Sequence, residues 1–163
     1  MAKRIDTAHA TDRRPLRFER IDDVLADIDR VVAADEAGTL RRSGNWSAGQ
    51  TFGHLAGWIN YGYEGFPMRV PWFIRLILRM KVKKYLREGL PAGTHIPKVP
   101  GGTYATEELD TATGAERLRA ALERLKTEPA RYHSPAFGPM REEDRITGHL
   151  RHAELHLSFL HPE

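Results

Sequence analysis

The apolar residues Phe18, Ile21, Val24, Leu25, Ile28, Val31 and Val32 recur at intervals of three, three, one, three, three and one. That spacing draws one apolar stripe along an α-helix and fits no β-strand, whose faces alternate every second residue. Asp22, Asp23, Asp27, Asp29 and Arg30 fall between the stripe positions and are assigned to the wetter faces; Gly38 marks the helix end. A second helix is predicted from Ser47, where Ser47 and Gln50 match a capping box, to the neighbourhood of Pro67. Phe52, Leu55, Ile59 and Phe66 are its apolar positions, with Trp58, Tyr61 and Tyr63 adding aromatic bulk. A third runs from Thr106 or Thr113 to Lys126 on Leu118, Leu122 and Leu125, with Thr113 and Glu116 as a second capping box. The last spans about Arg141 to Phe159 and stops before Pro162.

Four long amphipathic helices and no strand-like alternation predict an all-α four-helix bundle. Its 163 residues suit one domain. Residues 1–15 lack periodicity and read as a loose N-terminal tail, leaving 16–163 as the bundle domain. Residues 68–105 read as an insertion between helices two and three. Its first half, Pro71 to Arg87, is apolar and basic and has helical character. Its second half carries Pro91, Pro97 and Pro100 among four glycines and reads as a long loop.

The chain has no cysteine, which removes thiolate zinc sites, iron–sulfur clusters and an internal thiol nucleophile. It has eight histidines, five of them after residue 132. On the last helix His152 and His156 sit about 40° apart on successive turns, and His149 falls on the same stripe. Imidazoles at i and i+4 can converge on one ion. The metalloprotease version is excluded, because Ala153 stands where that motif needs its glutamate and Glu154 points away from the shared face. His54 lies on a stripe of helix two with Gln50, Trp58 and Tyr61, a polar and aromatic set unusual for a plain core. If helices two and four are neighbours, His54, His152 and His156 form a three-histidine site with an open coordination position, suited to Zn, Ni or Fe. On spacing alone His149 can replace either partner. Gln50, Trp58, Tyr61, His133 and His149 are candidate lining residues, while His9, His95 and His161 are expected in solvent.

Two blocks of the chain resemble a known group. The first runs from Asn45, Trp46 and Ser47 through Gln50, His54 and Leu55 to Tyr61, Glu64, Gly65, Phe66 and Pro67; the second comprises His133-Ser134-Pro135-Ala136-Phe137-Gly138 and the stretch from Gly148 to Leu157. Together they resemble the DinB/YfiT-like superfamily, and more narrowly an uncharacterised bacterial branch with a His-Pro-x-Phe-Gly loop and a terminal HxxxH helix. The resemblance implies a bundle of up-down-down-up order with a divalent metal at one end, held by His54, His152 and His156. It also implies the chemistry of metal-dependent hydrolases or of transferases that use low-molecular-weight thiols. Leu155 stands where the branch usually has histidine, and Ser134 separates His133 from Pro135; neither change touches the three ligands.

Between Glu64 and Glu88 the chain carries Arg69, Arg75, Arg79, Lys81, Lys83, Lys84 and Arg87 and no acid. A basic amphipathic segment of this kind suits an anionic membrane surface or partner, or a rim that attracts an anionic or thiol-bearing small-molecule substrate. A non-catalytic binding module built on residues 69–87 is therefore the alternative to a metal-dependent enzyme. Nucleic acid is disfavoured as a partner. No apolar run reaches the ~18 residues of a membrane span, and no apolar stretch follows the basic start, which together favour a cytoplasmic protein. A homodimer is compatible with such a bundle, although no interface signature is visible.

Overall fold

The stripe of the first helix becomes α1 (Ile21–Glu36), in which Ile21, Val24, Ile28 and Val31 are buried. A computed structural model describes residues 4–163. After α1 come β1 (Arg41–Arg42), α2 (Ala48–Glu64), α3 (Trp72–Glu88), a 3₁₀ turn at Pro100–Gly102, α4 (Thr111–Thr127), α5 (Glu142–Leu157) and β2 (Leu160–His161). Ser47 caps α2 as expected, its side chain accepting the Gln50 amide, and the positive φ of 103° at Gly65 ends it. The cap of α4 differs from expectation. Asp110, not Thr113, accepts the Thr113 amide at 2.8 Å, and the Thr113 hydroxyl donates to the same carboxylate. Among the described residues the protein is all-α apart from one short antiparallel strand pair, β1 with β2, that the sequence pattern did not foretell. Two-residue strands are too short to register as alternation.

One apolar core holds the buried side chains of α1, α2, α4 and α5 together with Phe18 and Leu160. Phe52, Leu118, Leu125 and Leu157 are almost fully enclosed in it. The long apolar-and-basic helix α3 buries none of its residues and stands outside this core.

Helices α2 and α4 approach so closely that glycine is required at the contact. A methyl group on Gly114 would lie 2.5 Å from the Gly49 carbonyl oxygen, and one on Gly49 would collide with the Leu109 carbonyl. Alanine at a helix-interior glycine gains about 1 kcal/mol of propensity. Here the clash is with backbone, which cannot swing aside, so overpacking decides the sign. Gly114→Ala is expected to lower stability by about 1–3 kcal/mol in urea unfolding; a stabilised variant would refute the close approach.

Polar burial also departs from the sequence pattern. Asp27, assigned to a wet face, is only 4% exposed and receives two bonds from Arg14, at 2.8 and 2.7 Å. Arg14 also donates to the carbonyls of Leu157 and Ser158, through its side chain and backbone respectively. Ile5 and Asn45 exchange two further bonds. The segment expected as a loose tail is thus tied down from Ile5 onward, while residues 1–3 lie outside the described residues. Beneath it, Glu154 accepts the Phe18 amide at 2.6 Å and lies 2.8 Å from Arg151, whose other nitrogen donates to the Phe18 carbonyl. These anchors fix α5, and with it the histidines on that helix.

Candidate metal centre

His54 projects from the middle of α2, and His152 and His156 from successive turns of α5. The potential ligand nitrogens of the three rings all lie within 4.8 Å of one another. Nε2 of His54 and Nε2 of His152 are 3.2 Å apart. Two nitrogens bound at ~2.0–2.1 Å to a tetrahedral ion would be about 3.3 Å apart, so this separation fits shared coordination. The ring centroids of His54, His152 and His156 are 4.5–5.1 Å apart, with planes steeply inclined to one another.

The tautomer of His54 is set by its backbone partner. Nδ1 is 2.9 Å from the Tyr104 carbonyl oxygen, which can only accept, so Nδ1 carries the proton and Nε2 offers its lone pair toward His152. Donation of the remote ring N–H to a carbonyl is the usual arrangement for a metal-ligating histidine. Aromatic rings wall the site. Trp46 stacks on His156 with centroids 5.1 Å apart and planes 12° apart, and it also touches His54 at 4.7 Å. Trp58 meets His54 and His152 edge-on at 6.1 and 5.9 Å.

Burial governs the protonation of these rings. It pushes His54 down to about 4, against the hydrogen bonds that favour its charged form. Burial likewise holds His152 and His156 well below the ordinary histidine range, with the neighbouring histidines adding to the effect. Burial, helped by the charge of Arg145, takes His149 to about 4 as well. At neutral pH all four rings are therefore uncharged, the form in which imidazole donates to a metal. The stability consequence has a definite sign. A histidine with a depressed folded pKa protonates more readily in the unfolded chain, so stability falls as pH drops from about 6.5 toward 4. His54 alone accounts for about 3 kcal/mol over that interval, since 6.5 minus about 4 is roughly 2.5 units at 1.36 kcal/mol each. The metal-free protein is expected to lose stability steeply between pH 6.5 and 4 in urea titrations, and His54→Gln to flatten the slope. An unchanged slope in the variant would contradict this account.

The histidines open onto a cavity of about 580 Å³ bounded by α2, α3 and α5. Trp58, His149 and His133 line it, with His133 exposed at its rim. Gln50 and Tyr61 do not. The Gln50 amide donates to the Thr106 carbonyl at 3.1 Å, tying α2 to the segment before α4, and the Tyr61 ring packs on Trp58 and Phe66. His161, expected in solvent, is half-buried and bonded to Ser43 at 2.8 Å; His9 and His95 are exposed. Sequence reasoning missed Trp46, Tyr104 and the inner face of α3, where Ile74, Leu78, Val82 and Leu86 line the cavity. Trp46 carried one signal, its place directly before the α2 cap. Tyr104 carried none, because it acts through its backbone carbonyl.

The model of the family described as "Protein of unknown function (DUF1569)" matches residues 10–163, nearly the whole chain. The chain belongs to the DUF1569 family. No curated protein and no solved structure matches it. The three-histidine site lies inside the DUF1569 match, as does the lining of the cavity apart from Arg4 and Thr7.

Proposed function

We propose that this DUF1569 protein is a metal-dependent enzyme with a three-histidine centre at His54, His152 and His156, in a DinB/YfiT-like bundle of up-down-down-up order. The observation that carries the reading is the convergence of three neutral imidazoles, one already oriented by the Tyr104 carbonyl, at the wall of a cavity. When bound, a divalent ion such as Zn, Ni or Fe supplies Lewis acidity, bringing a coordinated water or thiol toward deprotonation near neutral pH.

The protein's own residues do the rest. The Tyr104 carbonyl holds His54 in one tautomer, so its Nε2 needs no reorientation to act as a donor. Trp46 and Trp58 pack against the imidazoles and exclude bulk water, which strengthens every charge interaction inside the site. Three neutral ligands leave the ion its full positive charge toward the cavity. The inner face of α3 gives an incoming molecule an apolar surface to lie on. The reaction class is attack on an electrophile by water, which is hydrolysis, or by an external low-molecular-weight thiol, which is S-transfer. The chain has no cysteine, so any sulfur must arrive with a substrate.

The deciding experiment assays metal-loaded wild type and His156→Ala against a panel of activated esters and amides, and against electrophiles supplied with low-molecular-weight thiols. Turnover in one arm, lost in the variant and on chelation, is the expected result. Equal rates for both proteins in both arms would overturn the proposal.

A further inference from the structure

The outer face of α3 carries five large apolar side chains in solvent. Trp72, Phe73, Leu76, Ile77 and Met80 are 71, 53, 56, 48 and 72% exposed. At 100° per residue they occupy one stripe of the first half of the helix, opposite the Ile74, Leu78, Val82 and Leu86 face that lines the cavity. A helix that faces the protein on one side would ordinarily present polar residues on the other. Single exposed apolar residues are common in proteins, but a contiguous stripe marks an interaction surface.

Charge identifies what covers it. Arg75, Arg79, Lys81, Lys83, Lys84 and Arg87 are all exposed on this helix, and no acid occurs between Glu64 and Glu88. On the outer face the apolar stripe of the first two turns gives way to Lys83, Lys84 and Arg87 toward the C-terminal end. Only at that end do acids intervene, with Glu88 near Lys84 and Arg87. An exposed apolar stripe with aromatic residues at one end and cations around it is complementary to an anionic lipid interface. A second copy of this chain fits poorly, because parallel pairing of the same face would bring these cations together and antiparallel pairing along the helix would lay Lys83, Lys84 and Arg87 of each copy over the apolar stripe of the other. Nucleic acid would leave the apolar stripe without a partner.

We propose that α3 is a membrane-docking helix. Trp72, Phe73, Leu76, Ile77 and Met80 enter the headgroup–acyl boundary of an anionic bilayer, and the flanking lysines and arginines contact lipid phosphates. No helix among the described residues is long and apolar enough to cross a membrane, so the association is peripheral. The cavity lies on the other face of the same helix. The docking surface is independent of the metal reading, since none of its residues is a ligand.

The test is flotation of the full-length protein with vesicles of phosphatidylcholine alone or with phosphatidylglycerol added. Wild type is expected to float only with the anionic vesicles, and to lose at least about ten-fold of its binding between ~0.1 and ~0.5 M NaCl. Leu76→Asp/Met80→Asp and Lys83→Glu/Lys84→Glu should each lose about ten-fold or more with unchanged far-UV circular dichroism. His156→Ala should float like wild type, which separates this surface from the metal centre. Failure to float, equal binding to both vesicle types, or loss on mutating His156 would overturn the proposal. So would a concentration-dependent dimer abolished by Leu76→Asp/Met80→Asp, which would assign the face to a second copy.

Discussion

Replacing His152 with alanine is expected to weaken divalent-ion binding by more than about 100-fold. Loss of partners that merely orient a ligand already costs 10–100-fold in metal sites, and His152 would supply a ligand nitrogen itself. Its Nε2 faces that of His54 at 3.2 Å, so the substitution also removes the nearest member of the pair. His149 provides the internal control. It shares the same helical stripe and lines the same cavity, yet the converging set is His54, His152 and His156. His149→Ala is expected to keep affinity within a few-fold of wild type. Zinc titration by calorimetry against a competing chelator reads both values. Equal losses in the two variants would mean that the site has been drawn around the wrong rings.

The largest stability effect is expected at Asp27. Its carboxylate is buried against the Arg14 guanidinium, which itself is 14% exposed and bonds the end of α5 through the Leu157 carbonyl. Removing the carboxylate leaves a cation enclosed without its counter-charge, a change that typically costs 3–5 kcal/mol. Asp27→Ala should therefore fall by about 3–5 kcal/mol in urea unfolding. Arg14→Met should cost a comparable amount, because it leaves the still more deeply buried Asp27 carboxylate without its partner. If Asp27→Ala unfolds within about 0.5 kcal/mol of wild type, as an ordinary surface substitution does, the anchoring of the N-terminal segment is wrong.

The helices of the core were legible because each writes its burial into the sequence at helical spacing. Val24, Ile28 and Val31 on α1 and Leu118, Leu122 and Leu125 on α4 are examples. The strand pair was not, since Arg41 and Arg42 meet Leu160 and His161 over two residues only. Asp27 misled for a different reason. A carboxylate can be buried when a distant arginine reaches it, and a helical wheel contains no information about residue 14. The histidine pair on α5 could be read because HxxxH geometry is local, whereas joining it to His54 required the two helices to be neighbours. The walls of the site stayed hidden: Tyr104 contributes a carbonyl, and α3 lines the cavity with one face while exposing an equally apolar one. Such a helix has no single hydrophobic side for periodicity to find.

The proposed function turns on one divalent ion held among His54, His152 and His156. An anomalous diffraction map from metal-loaded crystals, collected on either side of the absorption edge of the bound element, tests it most directly. One edge-dependent peak within bonding distance of all three imidazoles, including Nε2 of His54, is the expected result. A map with no peak there, or with the ion elsewhere in the cavity, would contradict it.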